Sequence, residues 1–240
     1  MEIKKLTLFS NNLNEQEQFY GNKLGFPTER INDNIVVINT QENQLIFERS
    51  KNNFCYHFAF LIPTGSLESA MDFLKKRNIQ LLPFKGSEII HFNSGRSIYF
   101  YDMDGNIAEF IERPTLQYPS INDFSIEQVI KVNEIGLPVK NTLKMANYIV
   151  DELGINPINK SEFSNTFCWV GDFNGVIIVV KEGRNWLPTN IPGSTNDFSV
   201  IYSEEGEEKN IGFKNNKVQF FRIPSQQNII VLKCRTPILN

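Results

Sequence analysis

The chain has 240 residues, 41% hydrophobic and 21% charged, which suits one large or two small globular domains that can bury cores without disulfide staples. A net charge of −3 with no Lys/Arg run leaves no electrostatic footprint for a nucleic-acid partner, and no apolar run approaches the roughly 18 residues of a membrane span. Met1-Glu-Ile-Lys-Lys5 lacks a secretory apolar core, and Cys55, Cys168 and Cys234, widely spaced among apolar neighbours, read as reduced core thiols of a cytoplasmic protein.

The first expected strand is Leu6-Thr-Leu-Phe9. A polar turn and an amphipathic helix over residues 15–22 follow, closed by Leu24-Gly25, and residues 35–39 and 44–48 then read as a short meander. Tyr56-His-Phe-Ala-Phe-Leu-Ile62 opens a second unit of the same kind. Its alternation puts Tyr56, Phe58 and Phe60 on one face and His57, Ala59 and Leu61 on the other. A helix over residues 66–77, a strand over 88–92 and a hairpin with strands over 98–101 and 107–111 complete the unit, the hairpin turning on Asp-Gly-Asn106.

In the last of these strands Ile107, Glu109 and Ile111 share a face, which leaves Glu109 a lone carboxylate among apolar strand-mates. Such a group must be neutralised, paired or bound, because an isolated charge out of water is costly or shifts its pKa. Arg96 and Tyr99, just before the hairpin turn, are candidates for orienting a polar ligand, while Asp102, Gly105 and Asn106 read as turn chemistry.

After Arg113-Pro-Thr-Leu-Gln-Tyr-Pro-Ser120, whose two prolines suit an extended linker, the pattern repeats. Leu6 to Leu24 and Ile135 to Leu153 both span 18 positions, at an offset of 129, and Gly25 falls on Gly154. A helix over residues 143–152 and strands over 166–170 and 176–181 follow. In the register that puts Ile135, Leu137 and Val139 under the helix, Glu134 and Gly136 face the other way. A fourth copy begins at residues 196–202, but the acidic Ser203-Glu-Glu-Gly-Glu-Glu-Lys209 stands where its helix belongs, so that copy is eroded. The expected organisation is a first module over residues 1–114, a linker over 115–124 and a second module over 125–240.

Four strand-helix-three-strand units, with Tyr99-Phe-Tyr-Asp-Met-Asp-Gly-Asn-Ile-Ala-Glu109 closing the first pair, resemble the vicinal oxygen chelate superfamily of glyoxalase I, fosfomycin- and bleomycin-resistance proteins and extradiol dioxygenases. The resemblance implies an α+β fold of tandem paired βαβββ modules, with curled mixed sheets around a cavity. It also implies a divalent metal held by first-strand residues and a last-strand Glu. Carried over position by position, these are His57, Glu109 and Glu134, with Glu109 and Glu134 as catalytic candidates and Lys5 where the family usually has His or Gln.

An ammonium repels a cation, so Lys5 is instead a candidate substrate contact beside Arg96 and Tyr99, or an ion-pair partner of Glu109 or Glu48 if the site lies within the first module. If the site is composite between modules, Glu134 meets His57 and Glu109. Asp197 and Val231, the corresponding positions of the fourth unit, do not make a metal site.

One imidazole and two carboxylates suit Mn²⁺, Fe²⁺, Ni²⁺ or Zn²⁺ and a metal-assisted isomerase or lyase acting on a small oxygenated molecule. A metal-free protein that sequesters a small-molecule ligand is the alternative. An extradiol dioxygenase, needing two His and one carboxylate, is the minority reading. Two modules supply their own pairing, so a monomer or a homodimer is expected.

Overall fold

The computed structural model describes residues 1–119, 123–214 and 217–221. The first unit comprises β1 (Glu2–Ser10), α1 (Leu13–Glu17) running on as a π-helical segment (Gln18–Leu24), β2 (Thr28–Asn32), β3 (Ile35–Asn39) and β4 (Gln44–Arg49). The second has β5 (His57–Ile62), α2 (Leu67–Lys76), β6 (Ile90–Phe92), β7 (Gly95–Tyr101) and β8 (Ile107–Glu112). The third has β9 (Lys131–Val139), α3 (Thr142–Leu153), β10 (Phe167–Asp172) and β11 (Gly175–Lys181). β12 (Phe198–Glu204), β13 (Glu207–Lys214) and β14 (Lys217–Phe221) stand in place of a fourth.

Local signals set these elements. Gly154 and Gly25 stop α3 and the π segment with φ of 68° and 91°, the left-handed conformation that glycine tolerates best, and Asn141 caps α3 by accepting from Lys144 N. The π segment buries the adjacent rings of Phe19 and Tyr20.

The strands form two curled, seven-stranded mixed sheets, in the orders β14-β13-β12-β1-β4-β3-β2 and β10-β11-β9-β5-β8-β7-β6. The first joins units one and four through antiparallel β1 and β12, and the second joins units two and three through antiparallel β5 and β9. Each sheet therefore draws on both halves of the chain. The fold is α+β, with tandem paired units and an eroded fourth, as the resemblance implies.

Erosion has a physical consequence for strand order. In the second unit β8 returns to lie parallel beside β5, which requires a crossover. In the fourth, β12 turns straight back through Glu205-Gly206, both at positive φ, and β13 takes the neighbouring place antiparallel. Val231 and Cys234 lie outside the described residues.

Phe58, Phe60, Phe100 and Phe110, all fully buried, face the helices and the first sheet in the main core, where Phe60 meets Tyr20 and Phe26 with ring centroids 6.3 and 5.3 Å apart. The opposite face of the second sheet carries the polar cluster described below. Asp102 ties the two units together. Its carboxylate accepts from Gln16 Nε2 and Tyr20 Oη in the first unit, at 3.0 Å each, and from Asn106 Nδ2 at 2.8 Å in its own turn. No helix among the described residues is long and apolar enough to cross a membrane.

Candidate functional site

Ala59 sits at the centre of the site. On β5 it lies opposite Glu109 of β8 on one side and Glu134 of β9 on the other, while His57 precedes it by two residues on the same face. Neighbouring strands are about 4.8 Å apart, so the two carboxylates start from strands twice that far apart and lean together over the one small side chain between them. The three ligand atoms all lie within 4.8 Å of one another, and all three residues are buried.

The imidazole orientation is set from behind. His57 Nδ1 lies 3.2 Å from the Ile107 carbonyl, to which it can only donate, so Nε2 presents its lone pair to the cavity 3.4 Å from Glu109 Oε2. Burial pushes the imidazole pKa down to about 4, so the ring is neutral at pH 7.

Burial, and then the nearby Glu134 charge, push the Glu109 carboxyl up to about 8 against the opposing hydroxyls of Ser97 and Tyr99 and the charge of Arg113. Burial raises Glu134 as well, with Arg113 opposing. The Tyr99 phenol is held well above its ordinary value by burial and by both carboxylates, and stays protonated.

Arg113 is the residue that sequence reasoning placed in the linker and that the fold places inside. Fully buried, it pairs with Glu134, donates from Nε to Asn133 Oδ1 at 2.8 Å and stacks its guanidinium 5.0 and 5.4 Å from the rings of Trp169 and Phe173. Asn133 is free to clamp it because the β5–β9 register shifts there: Ala59 pairs with Glu134 and Phe60 with Val132, leaving Asn133 as the extra residue of a bulge. No local signal marks Arg113, although it directly follows the paired strand β8.

The cavity holds about 160 Å³ and is walled mainly by apolar side chains, with His57, Tyr99, Glu109 and Glu134 among its lining. One wall belongs to the segment between β11 and β12, whose Trp186 packs 4.9 Å from the His57 ring. Gly136 makes room for that indole, since a Cβ there would collide with Trp186 Cη2. Trp186 and Trp169 went unrecognised in the sequence, where a Trp in a long loop or a strand looks like any core aromatic.

Of the three candidate substrate contacts, Tyr99 faces the cavity and the other two do not. Lys5 is exposed on the first sheet, paired with Gln44 and Ile201, and is not among the residues lining the cavity. Arg96 falls on the opposite face from Ser97 and Tyr99 by strand alternation, and it pairs with Glu68 and Glu112 at 2.6 and 2.9 Å. Glu112 also accepts from Leu67 N at 2.6 Å, so that pair anchors the start of α2. The ion pairs considered between Lys5 and Glu109 or Glu48 are not formed.

The three donors fit a divalent ion. Atoms about 2.1 Å from a shared ion can be at most about 4.2 Å apart, so three donors within 4.8 Å of one another would hold one ion after a small side-chain movement. Arg113 engages one oxygen of Glu134, Oε1, and Oε2 has no such partner.

Without metal, the cluster makes stability pH-dependent. The contribution Glu109 makes by staying protonated is fully present below its unfolded value of 4.5 and is lost as pH rises through about 8. Above pH 6 the chelator-treated protein is expected to lose up to about 1.4 kcal/mol per pH unit from this group, and Glu109→Gln to remove that slope. Urea unfolding at pH 6, 7 and 8 measures it, and parallel slopes for parent and variant would contradict the assignment.

No family model matches the chain, and no curated protein matches it. Among solved structures, a protein described as a "putative dioxygenase" from Bacillus subtilis subsp. subtilis str. 168 superposes with a TM-score of 0.56 at 15% identity, over 87% of this chain and 68% of that one. A lactoylglutathione lyase from Agrobacterium tumefaciens (TM-score 0.41, 16% identity) covers 48% of this chain and 96% of its own. A glyoxalase/bleomycin resistance protein/dioxygenase from Alicyclobacillus acidocaldarius (TM-score 0.38, 18% identity) covers 49% and 96%. At 15% identity the likeness to the Bacillus protein is one of fold.

Proposed function

We propose that this chain, built on the vicinal oxygen chelate fold, is a metal-dependent isomerase or lyase for a small oxygenated molecule, with His57, Glu109 and Glu134 as the ligands of one divalent ion. The observation that carries this reading is a buried imidazole and two buried carboxylates with ligand atoms within 4.8 Å of one another on the wall of an apolar cavity. Mn²⁺, Fe²⁺, Ni²⁺ and Zn²⁺ all suit the donor set. When bound, such an ion supplies a Lewis acid that polarises a substrate oxygen and stabilises developing negative charge.

The remaining work falls to the side chains. Glu134 is held by Arg113, whereas no Arg or Lys side chain pairs with Glu109, which makes Glu109 the carboxylate that would take a proton from substrate carbon and return it. Tyr99 stays protonated beside it as a donor, and the apolar walls with the Trp186 indole exclude water, which strengthens every charge interaction inside.

The dioxygenase reading, which the description of the Bacillus protein invites, finds one imidazole where that chemistry uses two. The metal-free binding protein is the second reading, favoured by a specific observation: Arg113 already neutralises Glu134 without an ion. Elemental analysis separates the two. Protein purified without chelators or a histidine tag is expected to carry or take up one equivalent of divalent metal, and the His57→Ala/Glu109→Ala double variant none. A parent that takes up no Mn²⁺, Ni²⁺ or Zn²⁺ overturns the metal reading in favour of a binding protein.

A further inference from the structure

The cavity wall is graded in exposure. Its floor is buried and holds His57, Tyr99, Glu109 and Glu134, whereas its rim is open to solvent, with Phe92 of β6 on one element and Arg184, Asn185 and Leu187 on the segment after β11. Both carboxylates of the lining therefore lie on the floor, and its one permanent cation, Arg184, lies at the rim.

Arg184 is held in place without being neutralised. Its carbonyl accepts from Gly193 N at 2.8 Å and its N–H donates to the Lys181 carbonyl at 3.0 Å, while Trp186 N donates to the Ile191 carbonyl at 3.0 Å, so the segment closes as a short hairpin. The guanidinium lies 4.9 Å over the ring of Phe167, itself part of the lining. Among the described residues the arginine ion pairs are those of Arg30, Arg96 and Arg113, and Arg184 makes none. Partial burial pulls its pKa below the ordinary value with no neighbouring acid to offset the shift, and the group stays charged.

A guanidinium stacked on a ring keeps its N–H edge for a planar anion. One guanidinium balances one charge, and a dianion would turn its second charge toward Glu109 and Glu134. The enclosed volume of about 160 Å³ is close to the roughly 150 Å³ that houses benzene, so a body of about six heavy atoms spans floor to rim against Ile178 and Val180.

We propose that Arg184 is the specificity-determining residue of this cavity, and that the ligand is a small monocarboxylate whose oxygenated reactive end lies on the floor and whose carboxylate pairs with the Arg184 guanidinium at the rim. The placement of the oxygenated end rests on the metal reading above; the carboxylate at the rim does not.

The probe 4-oxopentanoate carries a ketone and a carboxylate at opposite ends, and 4-oxopentanamide has the same shape without the charge. Calorimetric titration into metal-free and Zn²⁺-loaded protein is expected to show the acid binding about tenfold tighter than the amide in both forms. Arg184→Gln should lower the affinity for the acid to that for the amide, leaving amide binding and zinc stoichiometry as in the parent, and Arg184→Lys should keep part of the preference. The dianion of 3-oxobutylphosphonate should bind no more tightly than the acid.

Equal affinities for acid and amide, binding of neither, an acid preference that survives Arg184→Gln, or a tighter phosphonate would overturn the proposal. An acid preference lost in Arg184→Gln, in protein that takes up no metal, keeps this inference and removes the metal reading. One equivalent of metal with equal affinities for acid and amide does the reverse.

Discussion

Arg113→Met is expected to destabilise the metal-free protein by about 3–5 kcal/mol, as removing one partner of a buried ion pair does. For a chain of this size that is a fall in Tm of roughly 10 °C. Met keeps an apolar stem between the Trp169 and Phe173 rings, so most of the loss is electrostatic: Glu134 remains buried beside Glu109 with no counter-charge. The size of the effect depends on pH in a definite direction. Without Arg113 the folded-state Glu134 carboxyl rises further, and a raised carboxyl contributes stability that is whole below its unfolded value and lost as pH rises.

Urea unfolding at pH 5 and pH 8 should therefore show the smaller deficit at pH 5, and Mn²⁺ at pH 8 should restore part of it by replacing the missing positive charge. A deficit independent of both pH and metal would mean that Arg113 acts by packing alone.

Asp102→Ala is expected to cost on the order of 3–5 kcal/mol, because several buried donors lose their acceptor at once. Gln16 Nε2, Tyr20 Oη and Asn106 Nδ2 converge on one carboxylate oxygen, and the backbone N–H groups of Asp104 and Asn106 on the other. Burial and the neighbouring Asp104 push the Asp102 carboxyl up to about 6, so these donors, more than exposure, keep it charged at neutral pH. Asp102→Asn keeps one acceptor oxygen and should lose less. Denaturant midpoints for the two variants, with Met103→Ala in the same turn as an exposed control, measure the difference, and an Asp102→Ala variant within 1 kcal/mol of the parent would show the turn to be merely local.

The same aspartate shows what reading residues in order misses. Asp102 before Gly105-Asn106 looks like any turn residue, because its local pattern is that of a turn, yet three of its five donors come from side chains and two of those from the first helical segment. Arg113 is a parallel case, followed by prolines that suit a linker and buried only because the β9 bulge and the β10–β11 turn close over it. Lys5 and Arg96 erred in the other direction. For Arg96 the alternation along β7 was legible from Tyr99 and already pointed it away from the cavity, whereas Lys5 was displaced by which units share a sheet.

From the sequence alone came the strand-helix-strand units, the glycine-ended helices, the loss of the fourth helix and the inward face of His57 and Glu109. These rest on period-two alternation, turn residues and capping, all of which act over a few positions. Tertiary structure decided that β5 lies between β8 and β9, so that two carboxylates 25 positions apart meet over Ala59, and that a buried guanidinium and two indoles complete their surroundings. Which strand becomes a neighbour, and which loop closes a mouth, is settled by how the sheets bury their apolar faces across the whole chain, and no local window contains that information.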